Sequence, residues 1–343
     1  MISRLTRFLA TTGMVVSAMT MTGCAVLQSG TAGVTLTIIE EGFTPPTFRL
    51  VDTDMVCNFG LVNGPLVGAA RAYYGDPSLI EANLYLTASL CSDAQTLEEE
   101  LRYLRAVHAK RPDEAEDARI VQKRLLARST ARQYTAFVRM RDKLQQKYFF
   151  EYGKTCPKFK RDFDELTYLN GTIAGLLAVT NDFASQQSVG VSTDIAPQAE
   201  FAMSCLDSAK WWGVPMALRG AIWSLLPGAS EGKDVVGTFE RAMTIGEAKG
   251  VRLAHVMATV AAVAADDQPR VRALIQRFVS VPNFKRNAEY ALIDSMAFVQ
   301  MQSISDRMWA QATGTRTPFN SLGKFWDDKP SGSDVNADDF LDE

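Results

Sequence analysis

The chain has 343 residues, 47% of them hydrophobic, with 36 basic and 39 acidic side chains and a formal net charge of −3. That balance makes no case for nucleic acid, and two histidines make none for a His-rich metal site. Five cysteines without a CxxC give no support to a zinc cluster or a thioredoxin-like centre, and the length suits one large domain or two ordinary ones.

The chain opens on "MISRLTRF", whose only charges are Arg4 and Arg7, and runs from Phe8 to Gly23 without an Asp, Glu, Lys or Arg. A positive start, a short apolar run and small residues at its end predict a secretory signal peptide over 1–23. The run falls short of the ~20 residues that a spanning helix needs. Thr22-Gly23 before Cys24 resembles a bacterial lipobox, with Met21 where Leu is usual. That resemblance implies a lipid on Cys24, which becomes the first mature residue. Ala25 in place of Asp favours the outer membrane, so the expected location is the cell envelope, lipid-anchored, on the periplasmic face. An uncleaved anchor, or a signal peptide with a chance cysteine, is the alternative. In an exported chain Cys57, Cys91, Cys156 and Cys205 form an even set, open to two disulfides in three pairings or to four buried thiols. Closeness in sequence favours Cys57 with Cys91 and Cys156 with Cys205.

Residues 24–51 are rich in Ser, Thr and Gly and carry Pro45-Pro46, which predicts an extended tether; Val34, Leu36 and Ile38 alternate as one short strand would. From 52 to 315 the pattern is helical. Asp76-Pro77-Ser78 starts a helix. Leu97, Leu101 and Leu104 mark a second, ended by Pro112. The charged stretch that follows is one long helix or two, stopped by Gly153, and "FDELTYLNGTIAGLLAVTNDF" is another. Leu253, Val256, Met257, Val260 and Val263 share a face, as do Val271, Leu274, Ile275, Phe278 and Val279. The expected fold is all-α, an irregular α-solenoid or helical bundle of degenerate TPR-like helix pairs. The 34-residue TPR period is weak, visible in small residues such as Gly237, Ala242 and Gly246. Residues 316–343 are acidic and predict a disordered or loosely attached tail.

"GASEGKDV" fails as a phosphate-binding loop, because three residues separate Gly228 from Gly232-Lys233 and Asp234 follows where Ser or Thr is needed; it reads as a turn with Asp234 at a helix start. Arg119, Lys123, Arg124, Arg128, Arg132, Arg139, Arg141, Lys143 and Lys147 put positive charge on one helix, either a solvated face or a dock for an acidic partner or anionic lipid, with Arg128, Arg132 and Arg139 close to one line. Trp211, Trp212 and Trp223 are either core or the lining of an apolar ligand cavity. Adjacent residues of a helix cannot face the same way, so one of Trp211 and Trp212 is expected to meet solvent, ligand or partner. His255 reads as a satisfied core histidine. No catalytic set, cofactor site or metal site emerges, which predicts a non-enzyme.

Several segments in order resemble the TatT family of TPR-type lipoproteins associated with TRAP transporters. They are "YGDPSLIEANLYLTASLC", "RQYTAFVRMRDKLQQKYF", "FDELTYLNGTIAGLLAVTNDF", "WWGVPMALRGAIWSLLPGASEGKDVVGTFERAMTI", "VRLAHVMATVAAVAADDQPRVRALIQRFV" and "EYALIDSMAFVQMQSISDRMWAQA", together covering roughly 70–312. Two positions depart from the family: Gly228 and Gly232 stand further apart than its glycine pair, and Asn170-Gly171 replaces an aromatic. The resemblance implies a TPR-like domain with an internal cavity or pore and no catalysis. It implies work beside a periplasmic solute-binding protein and its small organic ligand during uptake. The alternative is a general scaffold lipoprotein that organises an envelope complex and has no ligand. Membrane contact through the lipid is expected, nucleic acid is not, and a homo-oligomer is left open.

Overall fold

The computed structural model describes Val34 and residues 36–73 and 75–329. The segment 1–23, Cys24 and everything from residue 330 on lie outside the described residues, among which there is no strand. The helices are α1 (Thr44–Phe48), α2 (Thr53–Gly68), α3 (Ser78–His108), α4 (Pro112–Tyr148), α5 (Asp162–Ala184), α6 (Ile195–Ser204), α7 (Val214–Leu225), α8 (Val235–Lys249), α9 (Leu253–Ala264), α10 (Gln268–Ser280) and α11 (Ala291–Thr313).

The protein is all-α, as the periodicity predicts. Its first half is built on a long antiparallel hairpin, α3 of 31 residues and α4 of 37, with α2 packed on α3 and α5 on both. Pro112 opens α4, where its missing N–H is no loss. The second half is made of shorter helices, α6 to α10, of 10 to 15 residues. These have the size of TPR helices; α3 and α4 are far longer. An open solenoid lets each repeat touch only its neighbours. Here α11 returns to pack on α1, α2 and α3 as well as α9, which closes the molecule into a bundle. Ion pairs Arg307–Glu100 at 2.8 Å, Arg316–Glu98 at 2.8 Å and Arg49–Glu289 at 2.6 Å tie these distant segments. One core runs from Phe48 through Phe137, Tyr168 and Trp211 to Leu292; a second lies among α7 to α11 around Phe239, Ile275, Phe278 and Met301.

Three expectations are corrected. The segment 36–48 is helical, not extended: a π turn, Ile39–Phe43, leads into α1. Leu36 and Ile39 pack against Phe59, Val67, Ile80 and Leu84, and Phe48 joins the main core. Pro45 and Pro46 sit at the junction where the π turn passes into α1. The expected break between Cys91 and Leu97 does not exist, because α3 runs straight through "SDAQT". The acidic tail begins later than 316. Phe325 is buried in the second core, Arg272 stacks over Phe325 and Trp326 and pairs with Asp327 at 2.7 Å, and Thr317 bonds Ser305 at 2.8 Å. Aromatic burial outweighs the acid count there.

One disulfide staples the first half and another ties it to the second. Cys57–Cys91 joins α2 to α3, and Cys156–Cys205 joins the α4–α5 loop to the end of α6.

Candidate functional site

The tryptophans are not where a helical reading puts them. Trp211 and Trp212 lie in the turn before α7, and both are buried. Trp212 takes a left-handed backbone (φ 53°), which turns its side chain inward beside its neighbour's. Its ring meets Trp211 at 5.4 Å and Tyr290 at 4.6 Å, and the Trp211 indole N–H donates to Glu165 at 2.7 Å. Gly213 follows with φ 76°, so close to α8 that a Cβ there would stand 2.1 Å from the Ala242 carbonyl. Trp211 and Trp212 are core residues that lock this turn, and neither meets solvent. Trp223, partly exposed on α7, donates to Glu200 at 3.0 Å and lies under Arg219 and Lys233.

The basic helix is largely neutralised from within. Of the three arginines on one line, only Arg128 is exposed. Arg132 points into the α3–α4 interface, donating to the Ala88 carbonyl at 2.8 Å and the Ser92 hydroxyl at 2.7 Å. Arg139 lies 3.4 Å from the buried Glu81, which Arg71 already grips with both nitrogens. Lys143 pairs with Asp76 at 2.8 Å, and Lys147 with the buried Asp164 at 2.6 Å. The expected docking face is thus mostly a set of internal contacts, because α4 sends this line toward α3 rather than outward.

Arg132 borders a polar seam between α3, α4 and α5. The Asp93 carboxylate accepts from Ser129, from Gln133 at 3.3 Å and from Ser89 at 3.4 Å, and Asn181 of α5 donates to Gln133 at 2.9 Å. Desolvation pushes the Asp93 carboxyl up to about 6 against these hydrogen bonds and the nearby Arg132 charge. This seam holds Ser92 and Asp93 of the "SDAQT" stretch that reads as a break: these two face polar partners on α4 instead of solvent.

The accessible relief lies on α8. Asp234 caps this helix by accepting from the Gly237 N–H at 2.9 Å, as its sequence position predicts, and Gly250 ends it in the left-handed region. Thr238, Phe239, Ala242, Met243 and Gly246 turn inward. The outward face borders two adjoining depressions that share Thr244. One, of about 400 Å³, lies between Met216, Glu240, Arg241, Thr244 and Ile245. The other, of about 490 Å³, reaches across Glu247 and Ala248 to the turn at Val281, Asn283 and Lys285.

The charges at this face are held in place from beneath. His255 Nε2 lies 2.9 Å from Glu247 Oε1, and Arg277 Nε donates to the same oxygen at 2.8 Å. The His255 hydrogen bond, with help from Arg277, keeps the Glu247 carboxyl down at about 2. Burial pulls the His255 pKa below its ordinary value, so the ring is neutral at pH 7, with Nε2–H donating to the carboxylate. Its buried Nδ1 has no partner, so His255 is only half satisfied. A closed imidazole of this kind orients a carboxylate. Among the described residues no group of three or more His, Cys, Asp or Glu could hold a metal ion. No helix among them is long and apolar enough to cross a membrane.

The α8 face escapes the sequence reading, since Met216, Glu240, Thr244 and Lys285 form no motif; the Asp234 cap and the small residues Gly237, Ala242 and Gly246 mark the helix but not its outward face. No family model, curated protein or solved structure matches this chain.

Proposed function

We propose that the chain is a lipid-anchored, non-catalytic helical docking protein of the bacterial envelope. It is tethered through Cys24 and binds a periplasmic solute-binding protein in TRAP-type uptake through the outward face of α8. The observation that carries this reading is the pair of adjoining depressions along α8. Apolar floor at Met216 and Ile245 lies there beside the carboxylates of Glu240 and Glu247, both held by Arg277. Apolar ground among oriented charges suits a protein surface, where charge sets register and encounter. The two disulfides support an exported chain, since such bonds persist in oxidising compartments. Burial of Trp211 and Trp212 favours a protein partner over a small apolar ligand, which leaves a general scaffold role as the second reading.

A photo-crosslinking side chain at Thr244 in the lipidated protein, irradiated in its own envelope, tests this. A solute-binding protein attached at position 244, and absent when the crosslinker is at Arg124 on α4, is the expected result. A different envelope protein at 244 transfers the reading to a general scaffold. Identical adducts from both positions refute α8 as the docking face.

A further inference from the structure

The segment from Met55 to Ala70, which includes nearly all of α2, holds no Asp, Glu, Lys, Arg or His. One face meets α3 through Val56, Cys57, Gly60, Gly64 and Val67. Gly60 sits so close that a Cβ would stand 2.6 Å from the Leu84 carbonyl, and Cys57 is bonded to Cys91. That face cannot turn away. The opposite face is mostly apolar and is bare: Met55 is 56% exposed, Val62 69% and Leu66 67%, with the exposed Asn58 beside them donating to the Asp54 carbonyl at 2.9 Å. The spacing of seven and four residues puts these three in one line along the helix. The line continues into the following turn with Tyr73, and Val34 and Ile38 of the preceding segment are exposed too. That segment rests on the same α2–α3 cluster through Leu36 and Ile39.

A helix on a soluble surface turns a polar face outward; one that is apolar all round belongs in a core or in lipid. A contiguous bare apolar surface marks an interaction site. With 16 residues, α2 is about 24 Å long and too short to cross the ~30 Å hydrocarbon layer, so it can lie on a bilayer but not span it. Position in the chain identifies the occupant. The lipid-bearing residue of our reading, Cys24, is ten residues before Val34, a step that reaches at most ~35 Å when fully extended. This face is therefore leashed close to the bilayer. A second protein copy is the poorer match, since protein interfaces carry about one hydrogen bond per 100–200 Å², Met55, Val62 and Leu66 offer none, and the Asn58 amide beside them already donates to the Asp54 carbonyl.

We infer that the outward face of α2, the line Met55, Val62 and Leu66, rests in the surface of the phospholipid layer that holds the Cys24 lipid. The inference rests on the lipid-anchor reading and adds to it a second, non-covalent contact that fixes how the protein stands on the membrane.

The test uses the lipidated mature protein in vesicles of phosphatidylethanolamine and phosphatidylglycerol doped with a phospholipid carrying a diazirine in its acyl chain. Adducts are mapped by mass spectrometry, and the acyl mass on Cys24 is read in the same spectra. Adducts are expected within 55–73. In the double variant Val62→Glu with Leu66→Glu they should fall by about tenfold or more, since two carboxylates replace the apolar side chains that would enter the lipid. Circular dichroism of that variant should be unchanged, and the map of the unaltered protein decides the matter even if it is not. Adducts confined to the peptide bearing Cys24 overturn the inference while sparing the anchor. Should Cys24 carry no acyl mass, the anchor reading fails; adducts at 55–73 then still support the docking face, and their absence overturns it.

Discussion

Asp93 offers the sharpest test of the packing. Its carboxylate is enclosed by Ser89, Ser129 and Gln133, and desolvation raises its pKa from 3.8 to about 6. A folded-state pKa above the unfolded one means that the fold holds the proton more tightly than the open chain does. Stability from this group is therefore full below pH 3.8 and is lost as pH rises through about 6. A carboxyl shifted that far withholds up to about 3 kcal/mol at neutral pH. Asp93→Asn keeps the shape and removes the charge, at a cost of ~1 kcal/mol for one poorer hydrogen bond. The expected result is a variant about 2 kcal/mol more stable than the parent at pH 7.5 and equal or slightly weaker at pH 4. Urea denaturation followed by circular dichroism across this range measures the difference, in which groups common to both proteins, such as His255, cancel. A difference that stays flat between pH 4 and pH 7.5 would refute the reasoning and show that Arg132 fully balances the ionised carboxylate.

Asp294 is fully buried and accepts from the Arg252 and Arg286 side chains, so Asp294→Ala strands charge in the core and should cost ~3–5 kcal/mol in a urea titration. Arg128→Glu should shift stability by no more than ~0.5 kcal/mol. Arg132→Glu should cost at least ~2 kcal/mol by placing a carboxylate where Ala88 and Ser92 accept hydrogen bonds; equal melting temperatures for the two variants would contradict the internal role given to Arg132. Gly213→Ala should lower the melting temperature sharply, because φ 76° and a 2.1 Å approach to Ala242 leave no space for a methyl group. Opening Cys57–Cys91 with paired serines should cost ~2–4 kcal/mol, and unreduced, denatured wild-type protein should show no free thiol among Cys57, Cys91, Cys156 and Cys205.

What the sequence made legible was what local chemistry decides. Of the stripe Val271, Leu274, Ile275, Phe278 and Val279, the first four do bury one face of α10 while Val279 is exposed, and Asp234 does cap α8. The misreadings came where a polar or charged residue finds its partner far along the chain. Ser92 and Asp93 read as a loop because Ser129, Arg132 and Gln133 lie some forty residues away. Arg139 reads as a solvated charge until Glu81 is placed beside it. Trp211 and Trp212 were expected to diverge because helical backbone was assumed; one left-handed residue brings both inside. The two α8 depressions draw on α7, α8 and the turn after α10, and no single stretch carries them.

The placement of buried charge bears on how the two proposed surfaces relate. The bare face of α2 and the relief on α8 sit on helices that do not pack together, but α11 packs on α1, α2 and α3 at one end of the chain's fold and on α9 at the other. At the start of α11, Asp294 accepts from the Arg252 backbone N–H at 3.0 Å and from the Arg252 and Arg286 side chains, and Arg252 lies between the Phe278 and Phe284 rings. A buried ion pair is weak evidence for added stability, because well-packed apolar residues do as well or better. Its directionality is what apolar contacts lack: four N–H donors converging on one carboxylate permit one orientation of α9 against α11. On our reading, this cluster fixes the angle between a membrane-resting helix and a partner-facing one, so that a protein lying on the bilayer by α2 presents α8 in one direction.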